Sequence, residues 1–284
     1  MATRPKRTRA DDDDAPLFQP PATAQGTTNP PPARQATDFF RPEDRPRNAI
    51  EPDRDLLIPR LTIAQPMSPQ LQADSSEYIP SLRAGQIFDR STNSVFPDGV
   101  DVLVAYYAKQ WVEWHKDRSK RQIIKNWGMH RPKVGNGTGV TQDDKGRFVT
   151  AQGVINETAC FYVLNLTAGG KRAFISMTST QFKTGKGWNT KLYGEEIVDN
   201  NGNLDQAPNY WRPWKLTTVR QQNEQGHWFG WVVNNDGTLT KDLPNALQLR
   251  DSAHAFMMDC ENGLVVGDLS ADETMQQDLA TSSM

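Results

Sequence analysis

The sequence predicts a mainly β fold, an antiparallel barrel of the OB type or a close relative, with one short helix. Several short segments are rich in Val, Ile, Phe, Tyr and Thr, and their apolar residues alternate in the way that is typical of strands. Turn signals rich in Gly, Asn and Asp separate these segments. Many short strands joined by such turns are typical of barrels and sandwiches.

The clearest strand patterns lie in the middle of the chain. Residues 100–107 alternate valine with other residues and predict one strand. Residues 158–166 and 172–177 flank a glycine-containing turn, which predicts a hairpin. Residues 214–221 and 227–233 flank a second turn of the same kind and predict a second hairpin.

Composition divides the 284 residues into three parts. Residues 1–54 are rich in Pro, Arg and Asp and poor in aliphatic side chains, so they predict a disordered arm. Residues 55–250 predict one β-rich domain that is large enough for a sizeable core. Residues 251–284 predict an acidic tail. Within the domain, residues 179–193 lose their β-branched density, so a short helix and an ordered loop both stay open there.

The sequence also bears on the compartment. It contains no apolar run long enough to span a bilayer, and its basic N-terminus runs into Asp11–Asp14 without an apolar signal segment. Cys160 and Cys260 are isolated in sequence, which favours a reducing compartment over a disulfide framework or a structural zinc site. We therefore expect a protein that is neither secreted nor membrane-spanning.

Charge is distributed unevenly along the chain. Residues 104–193 contain fifteen Lys and Arg against five Asp and Glu, whereas residues 251–284 contain seven acids and no Lys or Arg. A basic middle followed by an acidic end predicts a polyanion-binding surface next to a tail that could compete with the polyanion. An acidic terminus that only aids solubility is an equally good interpretation.

Aromatic and cationic residues are interleaved in three segments, which lie at residues 106–127, 182–191 and 210–215. Single-stranded nucleic acid requires this mixture, because flat rings stack on unpaired bases while Lys and Arg follow the phosphates. The alternative is that the tryptophans form a core and the lysines a solvated face. That alternative is weakest for Trp111 and Trp188, whose sequence neighbours are polar, whereas Trp228 and Trp231 are assigned to the core. The candidate nucleic-acid-binding residues are Trp111, Trp114, Lys116, Arg118, Lys120, Arg121, Trp127, Lys183, Lys186, Trp188, Lys191, Trp211, Arg212 and Lys215.

Signals for catalysis are weak. The glycines of residues 135–139 are not followed by the Lys-Ser/Thr of a phosphate-binding loop. The acids and amides of residues 199–205 imitate half of a calcium loop but lack its glycine and its bidentate glutamate. The four histidines are scattered and suggest no catalytic triad. We therefore expect no catalytic residues, no metal site and no cofactor, and a protein that is not an enzyme.

Three stretches carry a family resemblance. They are residues 58–69 with the later 84–88, residues 176–181 with Lys186 and Trp188-Asn189, and residues 214–231. Together they resemble uncharacterised tailed-bacteriophage proteins that are often found among replication genes and are sometimes described as single-stranded DNA-binding. The resemblance covers residues 58–233 and implies a protein of the infected host cell's cytoplasm.

The function predicted from all this is non-catalytic, sequence-tolerant binding of single-stranded DNA in phage DNA replication or recombination, with possible contacts to replication proteins through the acidic tail. One alternative is a virion or assembly protein, whose basic arm and Trp-rich strands contact other subunits. Another is a nuclease or replication accessory enzyme, whose acids converge only in the fold.

Overall fold

The structure, a computed structural model, describes residues 58–117, 123–135, 137–198, 201–224, 226–235 and 245–265 together with Gly267 and Leu269. These residues form β-strands and two α-helices. The strands are β1 (Leu61–Ile63), β2 (Ile87–Asp89), β3 (Val95–Phe96), β4 (Val100–His115), β5 (Ile123–Gly128), β6 (Thr141–Gln142), β7 (Phe148–Val149), β8 (Gly153–Asn165), β9 (Lys171–Thr178), β10 (Glu196–Val198), β11 (Leu204–Gln206), β12 (Pro213–Asn223) and β13 (Gly226–Asn235), and the helices are α1 (Phe182–Tyr193) and α2 (Ala246–Glu261).

Two long antiparallel strands, β4 and β8, form the centre of an eight-stranded sheet. Each of them has different neighbours along its length. The first part of β4 pairs with β12 and its last part with β5, while the end of β8 pairs with β9 and its start with β7. We call residues 100–107 and 161–165 the proximal half of the sheet, and residues 108–115 and 153–160 the distal half.

The remaining strands lie outside this sheet or at its margin. Strands β1, β2 and β3 form a small antiparallel sheet, and β10 pairs only with β11 among the described residues. An isolated parallel bridge joins Arg60, just before β1, to Phe174 of β9. The amide of Gln65 also attaches this region to β13, since it donates to the carbonyl of Phe229 and accepts from its N–H, both at 2.9 Å.

The helices cover opposite faces of the sheet. On one face Trp188 and Leu192 of α1 pack with Val102, Phe161 and Val163. On the other face Ala253 and Phe256 of α2 pack with alternate residues of the same strands, which are Leu103, Cys160, Tyr162 and Leu164. A bulge between Val104 and Tyr106 shifts the alternation of β4 by one residue. The architecture is therefore a β-sheet between two helices.

The mainly antiparallel β prediction is confirmed, as are the two hairpins, which are β8–β9 and β12–β13. The predicted OB-like barrel is not: in the described part of the chain the pairing runs from β13 to β6 without closing. Among the residues that the structure describes there are two α-helices instead of the single helix predicted. The physical reason is that both faces of the central strands are apolar, so each face needs its own cover.

The second helix also changes the predicted tail. It begins before Asp251, where the acidic tail was expected to start, and it buries Ala253 and Phe256. An ion pair of 2.6 Å joins Asp259 to Arg172 of β9. Residues 251–261 are thus part of the folded domain. The predicted arm, residues 1–54, and the residues beyond Leu269 lie outside the described part of the chain.

Within the described residues, neither helix has the length and apolar character needed to cross a membrane.

Candidate nucleic-acid interface

Two tryptophans that were predicted as surface stacking platforms are buried. The side chain of Trp188 is 1% exposed, and its ring stacks on Phe161 with the centroids 4.1 Å apart. Trp188 lies on the same side of α1 as Gly185 and Leu192, which face the sheet. Trp111 is 5% exposed, and its ring meets the edge of Phe148 at 5.3 Å. The prediction that these rings stack on bases at the surface is therefore wrong, because both are packed in the interior, Trp188 against Phe161 and Trp111 against Phe148.

The other predicted tryptophans differ in exposure. Trp114 is buried on the α2 face of the sheet. Trp127 is half-buried; its indole N–H donates to the buried carboxylate of Glu113 at 3.0 Å, and the ammonium of Lys125 lies 3.9 Å from its ring centroid. Trp211 is half-buried in a 3-10 helix, Asn209–Trp211. Trp231 is buried as predicted for the core, whereas Trp228 is half-buried.

The predicted cations fall into three groups. Arg212 pairs with Glu195 at 2.6 Å and Lys215 with Asp101 at 3.1 Å, so both are engaged in ion pairs. Arg118, Lys120 and Arg121 lie outside the described residues. The exposed cations are Lys116 at the end of β4 and Lys183, Lys186 and Lys191 on α1.

A cleft of about 550 Å³ opens on the distal half of the sheet, on the α1 side. Strands β4 and β8 contribute to it, as do the turn before β7, the loop after β5 and the start of α1. The residues that line it are Lys109, Trp111, Arg131, Gly146, Arg147, Phe148, Ile155, Asn156, Glu157, Ser179 and Phe182.

The charged residues that line this cleft are mostly cationic: Lys109, Arg131 and Arg147 stand against one acid, Glu157. The guanidinium of Arg131 lies 4.9 Å from the ring centroid of Phe148. Arg147 pairs with Asp143 at 2.7 Å, just outside the lining. The backbone N–H of Arg147, followed by its guanidinium, lowers the pKa of the Asp143 carboxyl.

The amino end of α1 lies at the rim of the cleft, because Ser179 and Phe182 both line it. Gln181, which precedes the helix, forms no capping hydrogen bond to it, and its amide oxygen instead accepts from the N–H of Trp231 at 2.9 Å. The first turn contains no acid. The positive end of the helix dipole is thus not offset by a side chain of this turn. Ser179 has a φ of 52°, a left-handed conformation that costs energy in a residue other than glycine.

The sequence pattern did not identify several of these residues as candidate binders. Lys109 and Phe182 stand inside the aromatic and cationic segments but were not selected. Arg131 gives no local signal, because its ring partner Phe148 is distant in sequence. Glu157 carries no local signal either, since it lies one residue before the predicted strand at residues 158–166. Only the pairing of β4 with β8, which places Trp111 opposite Glu157, brings the acid into the cleft.

In the part of the chain that the structure describes, no three His, Cys, Asp or Glu side chains are grouped so that they could hold a metal ion. The expectations of no metal site, no cofactor and no catalysis stay predictions.

The fold and the cleft define a class: a β-sheet protein with a helix on each face and a basic cleft at one end of the sheet. A comparison with protein families narrows this class to one family. The model of the family described as Pam3 phage gp34-like protein matches residues 49–263, about three quarters of the chain. The chain therefore belongs to this phage family, and the predicted resemblance to phage proteins is confirmed. No curated protein and no solved structure matches the chain.

Proposed function

We propose that this phage protein binds single-stranded DNA without catalysis, in the cleft of the distal half, during phage DNA replication or recombination. The observation that carries the proposal is the combination of three cations, aromatic rings and the amino end of a helix in one cleft. Phosphates are attracted by Lys, Arg and helix amino ends, and unpaired bases by aromatic rings and guanidinium planes.

The size of the cleft suits a short stretch of a strand. A volume of about 550 Å³ is within the range of ordinary ligand sites, so the cleft holds a small number of nucleotides. The rest of the strand would pass over α1, whose exposed Lys183, Lys186 and Lys191 are not interrupted by any acid in that helix. Backbone contacts of this kind do not read sequence, which agrees with sequence-tolerant binding.

The stacking groups in this proposal are not the predicted tryptophans. Phe182 is half-buried at the rim, and the ammonium of Lys186 lies 4.7 Å from its ring centroid. Arg131 is exposed over Phe148. A base can stack on the Arg131 guanidinium directly, and on Phe182 once Lys186 turns towards a phosphate.

The acidic tail and its replication partners stay predictions. Because α2 extends to Glu261, and Val265 and Leu269 are buried in the same core as its apolar residues, a truncation that tests the tail must begin after Leu269 and not at Asp251. Removing residues 270–284 should strengthen DNA binding at low salt more than at high salt if the tail competes with phosphates. Equal affinity at both salt concentrations would leave the tail as a solubility device.

The proposed function is tested with a fluorescein-labelled oligothymidylate of about twelve nucleotides, titrated by anisotropy over a series of salt concentrations. Arg131→Gln and Lys183→Gln should each weaken binding and reduce the slope of log affinity against log salt by roughly 0.7. Lys171→Gln is the matched control. Lys171 is exposed, but it stands opposite Asn165 in the β8–β9 pairing, and Asn165 lies roughly 25 Å along β8 from Glu157. This substitution should change neither the affinity nor the slope.

Other results would favour the alternatives. Binding that is weakened equally by all three substitutions would indicate nonspecific charge and contradict a role for the cleft. Absence of binding, together with stable co-purification with phage particles, would favour an assembly protein. Degradation of the oligonucleotide that depends on a metal ion would favour a nuclease.

A further inference from the structure

Glu157 is an unexpected residue in a cleft that attracts phosphates. It is the one acid among the residues that line the cleft, and it stands in the middle of β8 opposite Trp111. A carboxylate in this position repels phosphate oxygens. Its presence therefore needs a reason other than attraction of the DNA backbone.

The stability of the fold offers little reason for an acid at position 157. The Glu157 oxygens lie 3.3 Å from the ammonium of Lys109 and 3.9 Å from that of Lys186, and all three side chains are partly exposed, with 27%, 41% and 63% of their surface accessible. Ion pairs in such exposed positions contribute little to folding. Each carboxylate oxygen has two lone pairs, and each has one such contact to a lysine, so both retain capacity for a further hydrogen bond.

We propose that Glu157 recognises the Watson–Crick edge of one guanine in the bound strand. The proposal rests on the proposed binding of single-stranded DNA and adds one position of base preference to otherwise sequence-tolerant binding. Its basis is the juxtaposition, in one cleft, of a carboxylate with two accepting oxygens, a lysine next to it and rings that can hold a base flat.

The four bases differ in what they offer to a carboxylate. Guanine has two adjacent donors, N1–H and the N2 amino group, which can meet both Glu157 oxygens, and next to them the O6 acceptor, which can receive a hydrogen bond from Lys109. Adenine and cytosine each offer one amino group beside an acceptor. Thymine offers one N–H between two acceptors, which would face the carboxylate unfavourably. Of the four, guanine fits best.

The placement of the neighbouring groups agrees with this. Lys109 precedes Trp111 by two residues on the same side of β4, and its ammonium lies 5.5 Å from the indole centroid. Phe182 of α1 lines the same cleft as Glu157. A base that enters with its edge towards Glu157 thus has an aromatic side chain nearby and a cation beside its O6, as base recognition in single strands requires.

The test compares oligothymidylate with oligonucleotides of the same length in which one central thymine is replaced by guanine, hypoxanthine, adenine or cytosine. The wild-type protein should bind the guanine strand roughly tenfold more tightly than the all-thymine strand. Hypoxanthine, which lacks the N2 amino group, should lose most of this gain. The hypoxanthine strand is tested on the wild-type protein, so its result does not depend on how a substitution affects folding.

Two variants separate base reading from charge. Glu157→Gln keeps the shape of the side chain but replaces one accepting oxygen by a donor, so it should abolish the guanine preference while binding the all-thymine strand at least as tightly. Asp143→Asn removes an acid that pairs with Arg147 but does not line the cleft, and it should retain the preference.

The outcomes separate the two proposals. If the wild-type protein binds all five strands with equal affinity, the recognition of guanine is wrong and the proposed function stands. If guanine and hypoxanthine strands bind equally tightly, or if Glu157→Gln retains the preference, Glu157 does not read the base edge. If no strand is bound, both the proposed function and the role of Glu157 are overturned.

Discussion

The proximal and distal halves of the sheet are built from the same two strands but differ in chemistry. In the proximal half, β4 and β8 present Val102, Leu103, Val163 and Leu164, which are all buried. α1 covers one face there and α2 the other. In the distal half, the strands carry Lys109, Glu113 and Glu157, and the α1 side opens into the basic cleft.

This difference indicates a division of labour along one pair of strands. Burial of aliphatic side chains on both faces supplies the stability of the proximal half, because the apolar area removed from water is large there. The distal half is attached to this rigid part through continuous backbone pairing. On the α1 side the distal half has a small apolar cluster of its own, Trp111, Val140, Phe148 and Ile155. The polar side chains around this cluster are held in place by the rigid proximal half, which is how many binding sites are supported.

The largest effect that we expect is on the proximal core. Trp188→Ala should lower the free energy of unfolding by about 3–5 kcal/mol, because it empties a fully buried ring site against Phe161 and Trp214. Chemical denaturation followed by circular dichroism measures this loss. Tyr193→Ala, on the same helix but 73% exposed, is the control and should change stability by less than about 0.5 kcal/mol. Similar losses for both would show that α1 is not anchored by Trp188.

The α2 face provides the second test. Burial raises the pKa of the Cys260 thiol from 9.0 to about 12. The thiolate, which is the reactive form, is therefore depleted at pH 8, and reaction with Ellman's reagent should be slower by roughly a thousandfold than for an ordinary cysteine. A Cys160→Ser variant isolates the signal of Cys260, and denaturant should restore ordinary reactivity. Rapid reaction of the native protein would mean that α2 leaves the sheet readily.

A smaller effect is expected in the distal half. Glu113 is 3% exposed, and its carboxylate accepts hydrogen bonds from the indole N–H of Trp127 at 3.0 Å and from the hydroxyl of Thr150. Glu113→Ala should cost about 1–3 kcal/mol, because it leaves these donors without their acceptor. Glu113→Gln retains one accepting oxygen and should cost less. Equal stability of Glu113→Ala and wild type in urea denaturation would contradict this anchoring of β5.

The smallest effect concerns the ion pair at the edge of the cleft. The pKa of Asp143 is lowered, so its contribution to stability is present at pH values above the unfolded value of 3.8 and is lost as the pH falls through the lower folded value. Because this carboxyl is partly exposed and solvent screens its ion pair with Arg147, Asp143→Asn should reduce the melting temperature only slightly at neutral pH. The melting temperatures of variant and wild type should converge well below pH 3.8. A difference that persists in acid would have another cause.

Local sequence patterns identified the parts of the fold that depend on neighbouring residues. The hairpins β8–β9 and β12–β13 were predictable, because alternating side chains and a turn lie within one short segment. Helix α2 was not, since its acids resembled those of a tail, although Ala253 and Phe256 are spaced three residues apart as on one helical face. The acids of α2 are not buried, whereas Ala253 and Phe256 pack on the sheet.

By itself the sequence determined that the protein is mainly β, that its middle is basic and that aromatic and cationic residues are interleaved there. Only the tertiary structure decided which of these residues meet. Trp188 has polar sequence neighbours and is nevertheless buried, because the side of α1 that carries it faces the sheet. Lys109 and Glu157 are 48 residues apart in sequence, yet the pairing of β4 with β8 brings their side chains within hydrogen-bonding distance. Burial and the joining of distant residues depend on long-range packing, and no local pattern in a single sequence encodes them.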